Sequence, residues 1–422
     1  MKFKKTTLPS GLRIITVPMK DALTATVLVM VEAGSNYESQ AENGLSHFIE
    51  HMCFKGTASR PTSMAVHQEL DGLGSQTNAF TGDEFTGYYA KAERKQWKHL
   101  LDIISDIYLH STFPAAELEK ERGVILQEIA MHEDEPRRHV WDVFLKLLYG
   151  DVPAGRPVIG PKENIKTFTR DMFEDYRSRH YVAAKTIIAV AGDVKESEVR
   201  KEIALRFKNI PKGKKLGKDK VVPKQSAPRL AIEMKDTDQM HLVMGFHSYP
   251  AKDKRNAALS VLCTILGGGF SSRLFHKLRD EMGVCYYIFS GNDRATDHGV
   301  ATISAGIDPK RVKEVVSTIL AECKRLADEP VTKAELDRTK DYIVGNMYLG
   351  LEGTDDLAER YVFQEIQRGE LRTPQETEKR LRAVTAKDIQ KVAKEIFKNS
   401  NLNLAVIGKI EDEAELKKVL TL

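Results

Sequence analysis

Ile188-Ala189-Val190-Ala191-Gly192 is a short apolar run of strand length that ends in glycine. A similar run, Leu-Ala-Val-Ile-Gly, recurs near the end of the chain at Leu404–Gly408. The tripeptide Ala-Glu-Leu at Ala116–Leu118 also recurs, at Ala334–Leu336, and each copy opens a long helical pattern. The two separations are nearly equal, which predicts an internal duplication with copies of about 210 residues that each suit one hydrophobic core.

A segment with few apolar residues separates the two copies. Lysines alternate with glycine and proline between Pro211 and Pro228, a composition typical of a linker. We therefore predict one domain over residues 1–212, a linker over 213–228 and a homologous domain over 229–422. Strand patterns at Gly11–Val17 and Thr24–Glu32 and a helical pattern at Leu45–Cys53 indicate alternating α and β elements.

Composition excludes several classes of protein. The 422 residues are 41% apolar and 29% charged, which is typical of a globular protein, and the net charge of +4 is too small to indicate a nucleic-acid partner. No apolar run is long enough to span a bilayer, and no apolar signal core follows Met1–Lys5. The four cysteines are widely spaced and form no C-x-x-C pair. We therefore expect reduced thiols, a cytoplasmic location and no membrane partner.

The most informative motif is His47-Phe48-Ile49-Glu50-His51. On a helix, residues three and four apart share a face, so both imidazoles can reach one metal ion with the Glu50 carboxylate beside them. The order is H-x-x-E-H, the inverse of the zincin motif H-E-x-x-H. The alternative interpretation is an amphipathic helix with a solvated His/Glu face.

A catalytic zinc ion needs a third protein ligand and an open position for water. Glu121 and Glu128 are seven residues apart, which on a helix returns to nearly the same face. Spacing alone allows either carboxylate to be the third ligand. It also allows both to be solvated surface residues.

The whole chain resembles the M16 metallopeptidases, the family of pitrilysin, insulin-degrading enzyme and the mitochondrial processing peptidase, and most closely the short bacterial members similar to the last. The resemblance is carried by Gly44–Thr57, by Glu121–Glu128, and by Asn78–Thr81 ahead of Glu84–Thr86. It implies an α+β fold of two homologous α/β domains, each a mainly antiparallel sheet covered by helices. It also implies a duplicated chain in which the first domain carries the metal.

The resemblance assigns a role to each residue of the motif region. It implies that His47, His51 and Glu128 bind one zinc ion per chain and that Glu50 activates the water molecule. Glu121 is then a supporting catalytic carboxylate rather than a ligand. In the family an edge strand binds substrate by main-chain hydrogen bonds, which here corresponds to Asn78, Ala79 and Phe80. Without the family, an ordinary strand is the simpler interpretation of that segment.

The second half keeps the pattern of the first but lacks its ligands. The residues that correspond to the proposed zinc ligands and base are Val261, Thr264, Ile265 and Asn346. The resemblance implies a substrate-facing loop at Gly267, Gly268 and Gly269, and a substrate- and oxyanion-binding pair at Arg279 and Tyr286. Without the family, such an Arg and Tyr are more often packing and surface residues.

These residues predict a zinc metalloendopeptidase or oligopeptidase that hydrolyses unfolded peptides in an enclosed chamber. The alternative is a catalytically silent peptide-binding or assembly subunit of the same family. A hydrolase with a serine or cysteine nucleophile has less support. Cys53 adjoins the motif, but no second base is positioned for it. The family's assembly predicts a homodimer in which Arg279 and Tyr286 of one protomer act in trans at the zinc site of its partner.

Overall fold

The computed structural model describes residues 2–422 and divides into two compact units, each built around one sheet. The first unit contains the residues up to Met131, Arg156–Asp219 and Leu349–Thr373. The second contains His132–Gly155, Lys220–Tyr348 and Pro374–Leu422. The units therefore differ from the predicted contiguous ranges 1–212 and 229–422 in two segments. His132–Gly155 belongs to the second unit, and Leu349–Thr373 belongs to the first.

Eleven strands and fifteen α-helices are named here in chain order. The strands are β1 Lys4–Thr7, β2 Arg13–Pro18, β3 Thr24–Val31, β4 Gln76–Thr81, β5 Thr86–Glu93, β6 Thr186–Gly192, β7 Arg229–Glu233, β8 Met240–His247, β9 Cys285–Arg294, β10 Gly299–Ile307 and β11 Leu402–Ile407. The helices are α1 Leu45–Cys53, α2 Ser63–Gly72, α3 Trp97–His110, α4 Ala115–Asp134, α5 Pro136–Tyr149, α6 Lys162–Thr167, α7 Arg170–His180, α8 Glu196–Arg206, α9 Asn256–Gly267, α10 Val312–Asp328, α11 Lys333–Leu349, α12 Thr354–Arg368, α13 Pro374–Arg382, α14 Ala386–Ile396 and α15 Glu413–Val419. A π-helix spans Phe275–Glu281.

The two sheets share one topology, apart from β1, which is an extra edge strand of the first sheet. The first has the order β1-β2-β6-β3-β5-β4 and the second β7-β11-β8-β10-β9. The β2–β6 and β7–β11 pairs are parallel, and every other pair is antiparallel. Matching strands begin at Arg13 and Arg229 and at Thr24 and Met240, with the same separation as the two apolar runs of the sequence. The predicted α+β class, with a mainly antiparallel sheet and helices in each domain, is confirmed.

Each unit contains one helix that the contiguous prediction assigned to the other half. Helix α5 packs on β8 and β11 of the second sheet, where Val140 and Phe144 join the cluster of Val243 and Ala405. Helix α12 packs on β3 and β6 of the first sheet. Gly245 permits the first contact, since a Cβ at that position would lie 2.3 Å from the Phe144 ring.

The described part of the chain, residues 2–422, contains no helix that combines the length and the apolar character needed to cross a bilayer. All four cysteines lie within the described residues, where they are buried and free. Residues 207–228, which include the predicted linker, contain neither strand nor helix.

Candidate metal centre

Helix α1 has one buried apolar face and one partly accessible face, and the motif residues lie on the accessible face. Phe48, Ile49 and Met52 are fully buried in the core of the first unit, so His47, Glu50 and His51 lie on the opposite, partly accessible side. The residue before the helix is Gly44, whose φ of +101° suits glycine, and a Cβ there would lie 2.7 Å from a backbone carbonyl oxygen. The alternation of buried and accessible positions within nine residues therefore sets the direction of the motif.

A buried carboxylate fixes the first turn of α1. Glu38 accepts hydrogen bonds from the backbone N–H groups of Gly44 (2.9 Å) and Ser46 (2.7 Å). These groups are donors that a helix N-terminus leaves without an intrahelical partner. Glu38 therefore positions the helix that carries the motif.

Helix α4 brings Glu128 to the two histidines. The distance from His47 Nε2 to Glu128 Oε1 is 3.8 Å, and that from His51 Nε2 to Glu128 Oε2 is also 3.8 Å. One donor atom from each of the three residues lies within 4.8 Å of the others. Two imidazole nitrogens and one carboxylate oxygen thus converge on a point small enough for one ion.

Glu121 contacts His51 rather than the point of convergence. Its Oε1 accepts a hydrogen bond from His51 Nδ1 at 2.9 Å, and its Oε2 pairs with Lys55 Nζ at 2.5 Å. With Nδ1 as the donor, Nε2, the atom that faces Glu128, is the ring nitrogen of His51 that can bind a metal ion. Of the two carboxylates that spacing left open, Glu121 is committed to orienting a histidine and Glu128 faces both rings.

Glu50 is held by the last residue of an edge strand. Thr81, at the end of β4, donates a hydrogen bond to Glu50 Oε2 at 2.5 Å. Burial raises the pKa of Glu50, and this hydrogen bond and the charge of His51 partly offset the increase. A carboxylate with a raised pKa beside a candidate metal site is suited to accept a proton.

The two imidazoles have different proton affinities. Burial, followed by repulsion from His51, lowers the pKa of His47 to about 3. Burial alone would lower the pKa of His51 as well, but its hydrogen bond to Glu121 and the charges of Glu50, Glu121 and Glu128 raise it. His47 is therefore neutral at physiological pH, with a lone pair available for a metal ion.

The predicted peptide-binding segment is an edge strand. Asn78, Ala79 and Phe80 lie on β4, which pairs with β5 on one side and ends the first sheet on the other. Asn78 is exposed, and the Phe80 ring stacks 6.1 Å from that of Phe363. An edge strand offers the unpaired main-chain groups that added strands use.

The remaining predicted residues lie in the second unit. Arg279, in the π-helix, is exposed, with its guanidinium 5.4 Å from the centroid of the Phe275 ring. Tyr286, on β9, is 69% exposed, whereas the neighbouring Tyr287 is bonded to His241 at 3.0 Å and covered by Arg137.

The glycine run occupies the end of α9 and the turn after it. A Cβ on Gly267 would lie 2.8 Å from the backbone nitrogen of Ser290, one on Gly268 2.6 Å from Thr264 Cα, and one on Gly269 3.1 Å from the Tyr342 ring. Close packing thus requires small residues at Gly267 and Gly268. On the same helix, Val261 and Ile265 are buried apolar residues, which explains why this half has no equivalent of the histidine pair.

Sequence reasoning did not single out Thr81 or Lys55 as site residues. Both belong to the stretches that carry the family resemblance, but neither is a residue type that indicates metal binding by itself. Their roles depend on contacts with Glu50 and Glu121, which lie on other elements and are distant in the chain.

Comparisons with known proteins match both halves of the chain to one peptidase family. Residues 13–162 match the family described as "Insulinase (Peptidase family M16)", and residues 167–343 match "Peptidase M16 inactive domain". An uncharacterized zinc protease of Mycobacterium leprae is 33% identical over 99% of this chain and 94% of its own length. An uncharacterized zinc protease of Bacillus subtilis is 33% identical over 93% of this chain and 95% of its own length.

Solved structures share the fold. A protease from Helicobacter pylori superposes with a TM-score of 0.90 and 24% identity, covering 97% of this chain and 99% of that one. An M16 inactive-domain protein from Pseudomonas fluorescens gives a TM-score of 0.89 with 19% identity, covering 97% and 98%. Because both halves match family descriptions and near-full-length relatives are 33% identical, this chain belongs to the M16 peptidase family.

Proposed function

We propose that this protein is a zinc-dependent endopeptidase or oligopeptidase that hydrolyses unfolded peptides. The observation that carries the proposal is the convergence of His47, His51 and Glu128 with Glu50 held beside them. Relatives that carry the name zinc protease support the choice of metal.

The residues fit zinc on chemical grounds. Two imidazole nitrogens and a carboxylate oxygen are ligands that zinc prefers, and three protein ligands leave a position open for water in a catalytic site. The donor separations of 3.8 Å are close to the spacing of about 3.4 Å between ligands around a tetrahedral zinc ion. His47 and His51 would bind through Nε2 and Glu128 through a carboxylate oxygen, with one ion per chain.

The chemistry that zinc supplies in such a site is polarisation of a carbonyl group and of a water molecule. Glu50 accepts the proton that the attacking water loses and passes it to the leaving amine, so the carboxylate ends the cycle ionised again. Thr81 holds one oxygen of Glu50, which leaves the other oxygen for the proton. Glu121 and Lys55 keep the His51 ring in the orientation that binding needs.

Peptide binding would use β4 as a template. An extended peptide added beside Asn78, Ala79 and Phe80 forms main-chain hydrogen bonds, so selectivity should be broad. We further propose that Arg279 and Tyr286 contact the substrate and its developing oxyanion, beside the loop at Gly267, Gly268 and Gly269. The exposure of both side chains supports that role.

Metal analysis combined with cleavage mapping tests the function. The purified chain should contain zinc and should cut a mixed library of unstructured peptides, and a chelator should abolish cleavage until zinc is restored. A chain that holds zinc and binds peptides but cuts none would support the alternative, a catalytically silent peptide-binding or assembly subunit. The complete set of His47, Glu50, His51 and Glu128 favours the enzyme, because a scaffold does not need all four.

We expect Glu121→Gln to weaken zinc binding by about 10- to 100-fold, because the amide is a poorer hydrogen-bond acceptor for His51 Nδ1 and no longer pairs with Lys55. Chelator competition measures the affinity. Glu119→Gln, a change of the same type at an exposed position of the same helix, should leave it unchanged. Equal affinities for the two variants would contradict the supporting role of Glu121.

We also propose that the chain forms a two-fold homodimer in which Arg279 and Tyr286 act in trans. Homodimers of Glu50→Gln chains and of Tyr286→Phe chains should each have low activity. In an equal mixture half of the dimers are hybrids with one intact site of two, so activity should recover to about one quarter of wild type.

A matched mixture provides the control for the trans arrangement. Glu50→Gln chains mixed with chains that carry both Glu50→Gln and Tyr286→Phe should show no recovery. If affinity-tagged hybrids of the two single variants are isolated and remain inactive, the trans arrangement is wrong.

A further inference from the structure

A second cluster of ligand-type side chains lies at the corner between α4 and α5. His132 is in the last turn of α4, and His139 and Asp142 lie one turn apart on α5. Between the helices Glu135 is extended, with φ −101° and ψ 91°, and Pro136 opens α5. This break in the helix turns the chain so that His132 meets the face of α5 that carries the other two residues.

The three side chains have donor spacings suited to an ion. The distance from His132 Nδ1 to Asp142 Oδ2 is 3.3 Å, and that from His139 Nδ1 to the same oxygen is 3.6 Å. All three donors lie within 4.8 Å of one another. Ligands around a tetrahedral ion with bonds of about 2.0–2.1 Å are about 3.4 Å apart, so these spacings fit at least as well as those at His47, His51 and Glu128.

A second carboxylate orients His139. Its Nε2 lies 3.1 Å from Glu233 Oε2 on β7 and donates to it, which leaves Nδ1 as the ring nitrogen that can bind a metal ion. That Nδ1 atom is buried, without a hydrogen-bond partner among residues 2–422. A carboxylate that fixes the ring of a ligating histidine is the arrangement of metal sites, and Glu121 and His51 show it in the first unit.

Two imidazole nitrogens and the carboxylate oxygen of Asp142 together form a set of donors that suits a bound cation. A lone pair on His139 Nδ1 that faces a carboxylate oxygen is unfavourable unless a proton or a metal ion lies between them. One divalent ion satisfies both nitrogens and Asp142 at once.

We propose that His132, His139 and Asp142 form a second metal site, for a divalent transition-metal ion, that fixes the α4–α5 corner. Imidazole nitrogens select zinc, cobalt or nickel rather than magnesium or calcium, which prefer all-oxygen ligands. The three side chains are 20–31% exposed, so an ion can enter from solvent. The site is additional to the one zinc ion proposed for catalysis.

Cobalt titration of the full-length chain tests this site. The His47→Ala/His51→Ala double variant, freed of metal by a chelator, should bind one Co²⁺ per chain, with the visible absorption of a low-coordinate cobalt site. Adding His139→Ala or Asp142→Asn should weaken that binding at least about tenfold. Adding His67→Ala, at an exposed histidine that bonds within its own helix, should leave the affinity unchanged.

Two results would overturn the site. One is a folded double variant, as judged by circular dichroism, that binds no Co²⁺ at micromolar concentrations. The other is unchanged Co²⁺ affinity in both the His139→Ala and the Asp142→Asn chains. Asp142→Asn removes a charge at nearly constant volume. Its Co²⁺ affinity alone therefore tests the site if His139→Ala fails to fold.

Discussion

Glu50→Gln should lower kcat/KM for peptide cleavage at least about 100-fold while the zinc content stays that of the wild type. The amide has the shape of the carboxylate and still accepts the hydrogen bond from Thr81, so the geometry is kept. It cannot accept the proton of the attacking water. Glu50 lies outside the group of three converging donors, so the metal should remain.

Paired measurements separate this loss from misfolding or metal loss. Zinc content by elemental analysis and unfolding temperature are measured on the same preparation as the activity. Glu119→Gln, exposed on α4, is the control and should retain full activity. Activity within a few-fold of wild type in Glu50→Gln would exclude Glu50 as the base, and zinc loss in that variant would make it a ligand.

The sequence predicted the fold class but not the exchange of helices between units. The repeat offset and the strand patterns can be read from the sequence because β6 and β11 contain short buried apolar runs, at residues 187–191 and 404–407. The placement of α5 on the second sheet depends on contacts such as Phe144 against Gly245, which are distant in the chain. Periodicity shows that α5 has an apolar face but not which sheet covers it.

Some residues of the candidate site can be predicted from the sequence, and others cannot. His47 and His51 are predictable because their partnership is local, four residues apart on one helix. Glu38, Lys55 and Thr81 act through contacts between separate elements, and glutamate, lysine and threonine are common at surfaces. The second histidine cluster was also missed, because its three members span a break between two helices rather than a regular spacing.

Glu128→Gln should weaken zinc binding more than about 100-fold, beyond the effect expected for Glu121→Gln, because it removes a charged ligand rather than a residue that orients one. The two variants make the same chemical change seven residues apart on one helix. The structure distinguishes them by their partners. Both oxygens of Glu121 are engaged by His51 Nδ1 and Lys55, whereas the oxygens of Glu128 face the Nε2 atoms of His47 and His51.

The comparison is cleanest in chains that also carry His139→Ala, so that metal at the second proposed site does not add to the signal. Zinc affinity from chelator competition should then fall in the order wild type, Glu121→Gln, Glu128→Gln. As zinc is added, Glu121→Gln should regain activity at a lower zinc concentration than Glu128→Gln. The reverse order would make Glu121 the third ligand. Such a result would require its carboxylate to leave Lys55 and His51 when zinc binds, because both of its oxygens are occupied in the present arrangement.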